Sequence, residues 1–108
     1  MTTPEPVRVS VWGELRSERK LPGRTAPVWR VLVGGQHAGA FERDGAVWRA
    51  EHQARTLGRI TETEHASADE ALARVLRSGF ARTLGARAAS RVHWTDRARR
   101  AVTRAGAR

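Results

Sequence analysis

Short segments in which apolar and polar residues alternate recur along the first half of the chain, and turn dipeptides separate them. Alternation with a period of two is typical of half-buried β-strands. Gly34-Gly35 and Asp44-Gly45 are dipeptides that connect antiparallel strands in hairpins. The pattern therefore predicts an antiparallel sheet. The alternating segments are VRVSVW (7–12), VWRVLV (28–33), GAFERD (39–44) and AVWRAEHQ (46–53).

Two segments between these strands are less regular. Residues 14–27 are polar and contain Pro22-Gly23, which predicts a long loop or a hairpin extension with exposed basic residues. RTLGRIT (55–61) reads as a shorter strand, in which Leu57 and Ile60 share a face only if Gly58 introduces a bulge, and we expect that bulge. We therefore expect four or five strands in total.

A helix is predicted over SADEALARVLRSGF (67–80), because apolar residues recur at helical spacing. Ser67 is a suitable N-cap, Glu70 three residues later completes a capping box, and Asp69 favours the positive end of the helix dipole. Gly79 is a candidate for the end of this helix. The apolar stripe predicts that the helix packs on one face of the sheet.

The arginines of the C-terminal quarter are the strongest functional signal. The formal net charge is +9, but nineteen of the twenty basic residues are arginine, and a GC-rich genome would favour arginine codons without any functional demand. Codon usage does not explain the position of the acids: residues 81–108 contain eight arginines and only one acid, Asp96, whereas residues 1–80 are nearly balanced. This asymmetry indicates a polyanionic partner.

The basic C-terminal segment, residues 81–108, is predicted to be helical, because Leu84, Ala88 and Val92 repeat at four-residue spacing. A second helix is predicted to begin with Thr95 as N-cap, with Trp94 packing its start against the main body. Its apolar positions are mostly alanine, which bury little area. We therefore expect weak docking, and the same alanine faces could instead pair two chains in a homodimer.

No constellation of an enzyme is evident in the sequence. The chain has no cysteine, and its four histidines lack the close spacing of zinc sites. A composite site from His52, Glu62, Glu64 and His65 is the best arrangement available and is a weak one. We predict a non-enzymatic protein without cofactor or metal. The N-terminus lacks a secretory signal and no apolar run approaches the roughly 18 residues that span a bilayer, so we predict a cytoplasmic protein with no membrane contact.

The tryptophans and arginines of the predicted strands each have two interpretations. Trp12, Trp29 and Trp48 could build the core or form an exposed row on which unpaired bases stack. The arginines could form a basic surface on the face that the helix does not cover, or pair with the acids interleaved among them. These arginines are Arg30, Arg43, Arg49, Arg55 and Arg59.

Residues 39–77 resemble the three-stranded sheet plus helix of DNA-binding domains of the ethylene-response-factor type and of the arm-binding domains of phage integrases. The matching residues are Trp48-Arg49-Ala50, Leu57-Gly58 and Asp69-Glu70-Ala71. The resemblance implies that strand residues facing away from the helix read the major groove, a role that falls to Arg43, Arg49 and Arg59. ETEHAS (62–67) is an insertion relative to that pattern, and Glu51 is an unfavourable charge on it. The pattern also resembles small proteins of bacterial mobile elements.

These observations predict an α+β fold. Residues 1–80 form an antiparallel sheet of four to five strands with one amphipathic helix on one face, residues 1–6 are a frayed lead-in, and residues 81–108 are a basic helical extension. The predicted function is binding of nucleic acid, with duplex DNA favoured and RNA possible; the alternative is an inhibitor or adaptor that binds an acidic protein surface. The predicted contact residues are Arg43, Arg49 and Arg59 on the sheet and Arg97, Arg99, Arg100 and Arg104 in the extension.

Overall fold

Six β-strands and three α-helices make up the part of the chain that the computed structural model describes, residues 7–18, 21–87 and 91–106. The predicted lead-in, residues 1–6, lies outside the described residues. The α+β class is confirmed, but the sheet has more strands than the four or five expected. The strands are β1 (Val9–Ser17), β2 (Thr25–Val33), β3 (Gln36–Asp44), β4 (Val47–Gln53), β5 (Ile60–His65) and β6 (Val92–Trp94), and the helices are α1 (Ala68–Leu76), α2 (Gly79–Thr83) and α3 (Asp96–Gly106).

The strands form one sheet in the order β5-β4-β3-β2-β1-β6. Neighbours from β1 to β5 are antiparallel, whereas β6 pairs in parallel with β1, with Val92 opposite Val9 and Trp94 opposite Val11. The prediction that the sheet is antiparallel therefore holds for five strands and is wrong for the sixth. The prediction that residues 92–94 belong to a helical extension is therefore also wrong, and a strand of three residues is too short to show alternation.

The first hairpin is longer than predicted. β1 continues to Ser17 and β2 begins at Thr25, so half of the expected loop over residues 14–27 is strand. The connection closes through hydrogen bonds from Glu18 N–H to the Arg24 carbonyl and from Arg24 N–H to the Leu21 carbonyl, both 3.0 Å. The polar residues of this stretch are compatible with strand structure because an antiparallel sheet can expose one face to water.

The fifth strand lies later in the sequence than predicted. Residues 55–59 form a turn in which Gly58 N–H donates to the Arg55 carbonyl at 3.0 Å and Leu57 has a left-handed φ of 58°. The side chain of Leu57 is 97% exposed. β5 begins at Ile60, so the stretch taken as an insertion before the helix is itself largely strand.

The predicted helix over residues 67–80 is divided into α1 and α2. Its N-terminus is confirmed: the Ser67 hydroxyl accepts from Glu70 N–H at 3.2 Å, and the Glu70 carboxylate accepts from Ala66 N–H at 3.1 Å. The division occurs at Ser78, whose hydroxyl donates to the Val75 carbonyl at 2.6 Å and caps α2. None of the described helices is long and apolar enough to cross a membrane.

The core lies between one face of the sheet and the helices. Trp29 stacks on Phe41 at a centroid distance of 5.6 Å, and Trp48 lies 5.3 Å from Trp29. α1 covers β3 to β5, and α3 covers β1 on the same face. We call this the helix-covered face and its opposite the open face. Trp29 and Trp48 are thus core residues, whereas Trp12 lies on the open face and is 54% exposed.

Candidate nucleic-acid interface

Helix α3, which carries four of the predicted contact residues, is anchored to the sheet at its first turn. The Thr95 hydroxyl accepts from Ala98 N–H at 3.1 Å, which confirms the predicted N-cap. Ala98 is fully buried, and its carbonyl accepts a hydrogen bond of 3.0 Å from the indole N–H of Trp29. The ring of Trp94 packs edge-on against Phe41 at 6.1 Å. α3 therefore has a fixed start despite its alanine-rich face.

The four arginines of α3 are all exposed and point in different directions around the helix. The guanidinium carbon of Arg99 lies 5.9 Å from the centroid of the Trp94 ring, on the β6 side. Arg97 and Arg104 line a groove on the other side of the helix. Within the described part of the chain, no ion pair neutralises any of the four. Around the helix, Arg97, Arg100 and Arg104 fall within about 60° of one another and Arg99 lies apart from them, so α3 presents positive charge on two sides.

The groove beside α3, about 800 Å³ in volume, brings one sheet residue to the helix. Arg43 lines it together with Arg97 and Arg104, so three of the seven predicted contact residues meet there. The floor includes Leu15 and Pro27. The Arg43 side chain is held at the end of β3, where its Nε donates to the Gly45 carbonyl at 3.0 Å.

The other sheet arginines are not part of this group. Arg49 lies on the open face, where it is hydrogen-bonded to Asp44 and approaches Glu62 at 4.0 Å. Arg59 is exposed in the turn before β5. Arg43 is opposite Trp48 in the register and so lies on the helix-covered face. The sheet arginines therefore do not share one face in the way that the family resemblance implies.

The open face carries an excess of acidic residues. Its polar positions contain six acids and only three arginines, which gives the face a net negative charge. The acids are Glu14, Glu42, Asp44, Glu51, Glu62 and Glu64, and the arginines are Arg16, Arg30 and Arg49. Of the two interpretations of the sheet arginines, the structure supports cross-strand pairing: Arg30 on β2 contacts Glu14 on β1 at 2.7 Å, and Glu14 also contacts Arg16 of its own strand at 3.1 Å.

The electrostatic field of this face appears in the pKa values of its groups. Burial, together with the nearby charge of Glu51, raises the pKa of Glu42. Desolvation alone would raise the pKa of Glu14, but the hydrogen bond from Arg16 and the charge of Arg30 lower it. The arginines thus compensate the charge of Glu14 on β1, whereas the charges of Glu51 and Asp44 disfavour the ionised form of Glu42 on β3.

The helix side of the molecule has the opposite charge. Residues 67–87 and 91–106, which contain all three helices, include nine arginines and three acids. The helices themselves contain six of these arginines, and because all three helices lie on one face of the sheet, the sheet separates these six from the acids of the open face. The uneven distribution of charge along the sequence therefore corresponds to a difference in charge between the two faces of the sheet.

The composite site considered from the sequence is not assembled. His52 and His65 lie on the helix-covered face and are bridged by the Thr63 hydroxyl, at 3.1 and 2.7 Å, whereas Glu62 and Glu64 point to the open face. Burial, with the charge of Arg74 nearby, lowers the pKa of His52. No cluster of acids and histidines suited to a metal ion occurs in the described ranges.

Comparison of the chain with family models, with curated proteins and with solved structures finds no match. Sequence reasoning located the α3 arginines, but it missed the acidic open face. The alternation of residues along the strands could have revealed this face, since Glu62 and Glu64 are two residues apart on one side of β5 and Glu51 of β4 lies opposite Glu62.

Proposed function

We propose that this protein is a non-enzymatic nucleic-acid-binding protein of the cytoplasm that contacts duplex DNA through its helix side. The observation that carries the proposal is the separation of charge: the three helices contain six arginines and three acids, and the open sheet face is negative. A polyanion is attracted to the first surface and repelled by the second.

Arg97, Arg99, Arg100 and Arg104 supply the phosphate contacts in this proposal. α3 has eleven residues and is therefore about 16 Å long. Duplex DNA carries one charge per roughly 1.7 Å of its axis, so a helix of this length lies near several phosphates at once. Arginine forks also suit phosphate geometry. Contacts of this kind give affinity and orientation rather than sequence preference.

The sheet contributes less than the family resemblance implied. Arg43 joins the α3 arginines across the groove and is included in the proposed interface. Arg49 is engaged by Asp44 and surrounded by further acids, which would repel a phosphate backbone. Arg59 is free to contact a backbone only at the far edge of the sheet, beside β5. Any base reading would fall to groups near the groove.

The test is a binding titration over a range of salt concentrations. Four neutralised phosphates predict that log K falls with log salt at a slope of about −3 to −4, and each Arg→Gln substitution in α3 reduces the slope by about 0.9. Arg55→Gln, an exposed arginine in the turn before β5, is the matched control and leaves the slope unchanged. A binding constant that does not change with salt concentration would refute the proposal. Competition among duplex DNA, single strands and RNA then identifies the preferred nucleic acid.

Binding to an acidic protein surface is the second candidate, and the apolar floor of the groove favours it. Leu15 is 58% exposed there and adjoins Ala101 and Ala105 of α3, a surface suited to protein side chains. This candidate predicts a stoichiometric complex with one protein, loss of that complex on Arg97→Gln and Arg104→Gln, and no affinity for duplex DNA at physiological salt.

A further inference from the structure

The outer edge of β1 is only partly covered. β6 pairs with Val9–Val11 and ends at Trp94, opposite Val11, so beyond that point no described strand lies beside β1. The side chains at this edge include two large exposed apolar groups: Trp12 on the open face is 54% exposed, and Leu15 on the helix-covered face is 58% exposed. An uncovered strand edge with apolar flanks is a template for pairing with another strand.

The direction of the backbone groups along this edge follows from one hydrogen bond. Thr95 N–H donates to the Val11 carbonyl at 3.1 Å, from the side away from β2. Because the amide and carbonyl groups of alternate residues point to the same side of a strand, those of Gly13, Leu15 and Ser17 also point outward. The backbone groups of the even-numbered residues point the other way, toward β2, since the Arg8 carbonyl and the Glu18 N–H both form hydrogen bonds on that side. These three outward residues can pair with an added strand.

The edge is self-complementary in charge. Two antiparallel copies of β1 satisfy the backbone only in registers that place outward residues opposite one another. The register centred on Leu15 places Leu15 opposite its own copy and brings Glu14 of each chain opposite Arg16 of the other. A register centred on Glu14 opposes two glutamates, and one centred on Arg16 opposes two arginines. Opposite charges directly across an antiparallel pair stabilise it, and like charges destabilise it.

We propose that this edge pairs two copies of the chain, β1 against β1, in the register centred on Leu15. The pairing makes one continuous sheet across a twofold axis perpendicular to it. Both α3 helices then lie on the same face, because that axis keeps each face on its own side. The interface does not depend on the proposed function, and its test requires no nucleic acid.

The first experiment measures oligomeric state by sedimentation velocity over a dilution series. We expect a concentration-dependent dimer, an increase of about tenfold in its dissociation constant on Arg16→Glu, and recovery of the dimer in the double variant Glu14→Arg, Arg16→Glu. Arg55→Glu makes the same charge change away from the edge and leaves the constant unaltered. A monomer at every concentration, or a dimer indifferent to Arg16→Glu, overturns the proposal.

The second experiment covers the case in which a charge variant fails to fold, since Glu14 also binds Arg30 at 2.7 Å within the chain. The chain has no cysteine, so Leu15→Cys introduces a single thiol. At the centre of an antiparallel pair the two Cα atoms are about 5.5 Å apart, within the range of a disulfide. We expect covalent dimers under mild oxidation from Leu15→Cys and not from Leu57→Cys, a fully exposed control. Equal crosslinking of the two variants contradicts the assigned register.

Discussion

Replacing Gly13 with valine should release α3 from the sheet while the rest of the fold persists. A Cβ atom at Gly13 would lie 3.1 Å from the Cα and 3.3 Å from the Cβ of Ala98. Carbon atoms in favourable contact are about 3.5–4.0 Å apart. The helix must therefore move outward by roughly half an ångström for the first carbon, and further for the two methyl groups of valine.

The free-energy cost of displacing α3 follows from the same contacts. The displacement stretches the bond from the Trp29 indole to the Ala98 carbonyl, now 3.0 Å, beyond hydrogen-bonding range, and a lost hydrogen bond costs about 1 kcal/mol. Overpacking of a tight site costs about 1–3 kcal/mol in total. Ala98 is the only fully buried residue among those described in α3. The docking energy is therefore small enough for this strain to undock the helix locally.

Hydrogen exchange is the assay. The amides of α3 should exchange about 5- to 150-fold faster in Gly13→Val, which corresponds to the 1–3 kcal/mol above, whereas those of β3 and β4 should be unchanged. Gly13→Ala should give a smaller effect of the same pattern. Ser10→Val, on the open face of the same strand, is the control. Uniform acceleration across the sheet, or unaltered exchange in α3, would refute the reasoning that this contact holds the helix.

Three further predictions concern stability. Burial, and after it the charge of Arg74, lowers the pKa of His52 from 6.5, so below about pH 6.5 the unfolded chain binds a proton that the folded chain does not. The free energy of unfolding should therefore fall as the pH drops below about 6.5. Denaturant titrations at several pH values should show this decrease, and H52Q should reduce it. Gly39→Ala should destabilise by about 1–3 kcal/mol, since its methyl group would lie 2.5 Å from the Glu51 carbonyl oxygen; an unchanged denaturation midpoint would contradict this. Ser67→Ala should cost about 1 kcal/mol through loss of the α1 cap, measured by thermal unfolding, and Ser67→Asp should retain most of the stability.

Local patterns in the sequence predicted those elements whose inward positions are apolar. The faces of β4 were assigned correctly because Trp48 and Ala50 alternate with polar residues, and the start of α1 was found because capping depends on residues three apart. β5 was misplaced because its inward residues are polar, and two of them, Thr63 and His65, are hydrogen-bonded to each other. Hydrophobic periodicity does not detect a strand whose inward residues are polar.

Features that depend on distant parts of the chain were not predictable in the same way. β6 pairs with a strand more than eighty residues earlier, and nothing within its own three residues signals that partner. For the candidate site, too, residues close in the sequence were predictable and residues brought together by the fold were not. The α3 arginines are adjacent in sequence and were identified, whereas the meeting of Arg43 with Arg97 and Arg104 depends on the path of the sheet. The register places Arg49 opposite Glu42 and Glu64, so arginines and acids are interleaved on the open face, but the excess of acids emerges only when the open positions of all the strands are brought together.

The two oppositely charged surfaces also make the folded chain an electric dipole, with its positive end at the helices and its negative end at the open face. A polyanion therefore exerts a torque on the molecule as well as an attraction, and turns α3 toward itself before any contact forms. Salt limits the range of this effect to about 8–10 Å at physiological ionic strength. The rotation is thus confined to the last part of the approach, where it raises the fraction of collisions that arrive in a productive orientation.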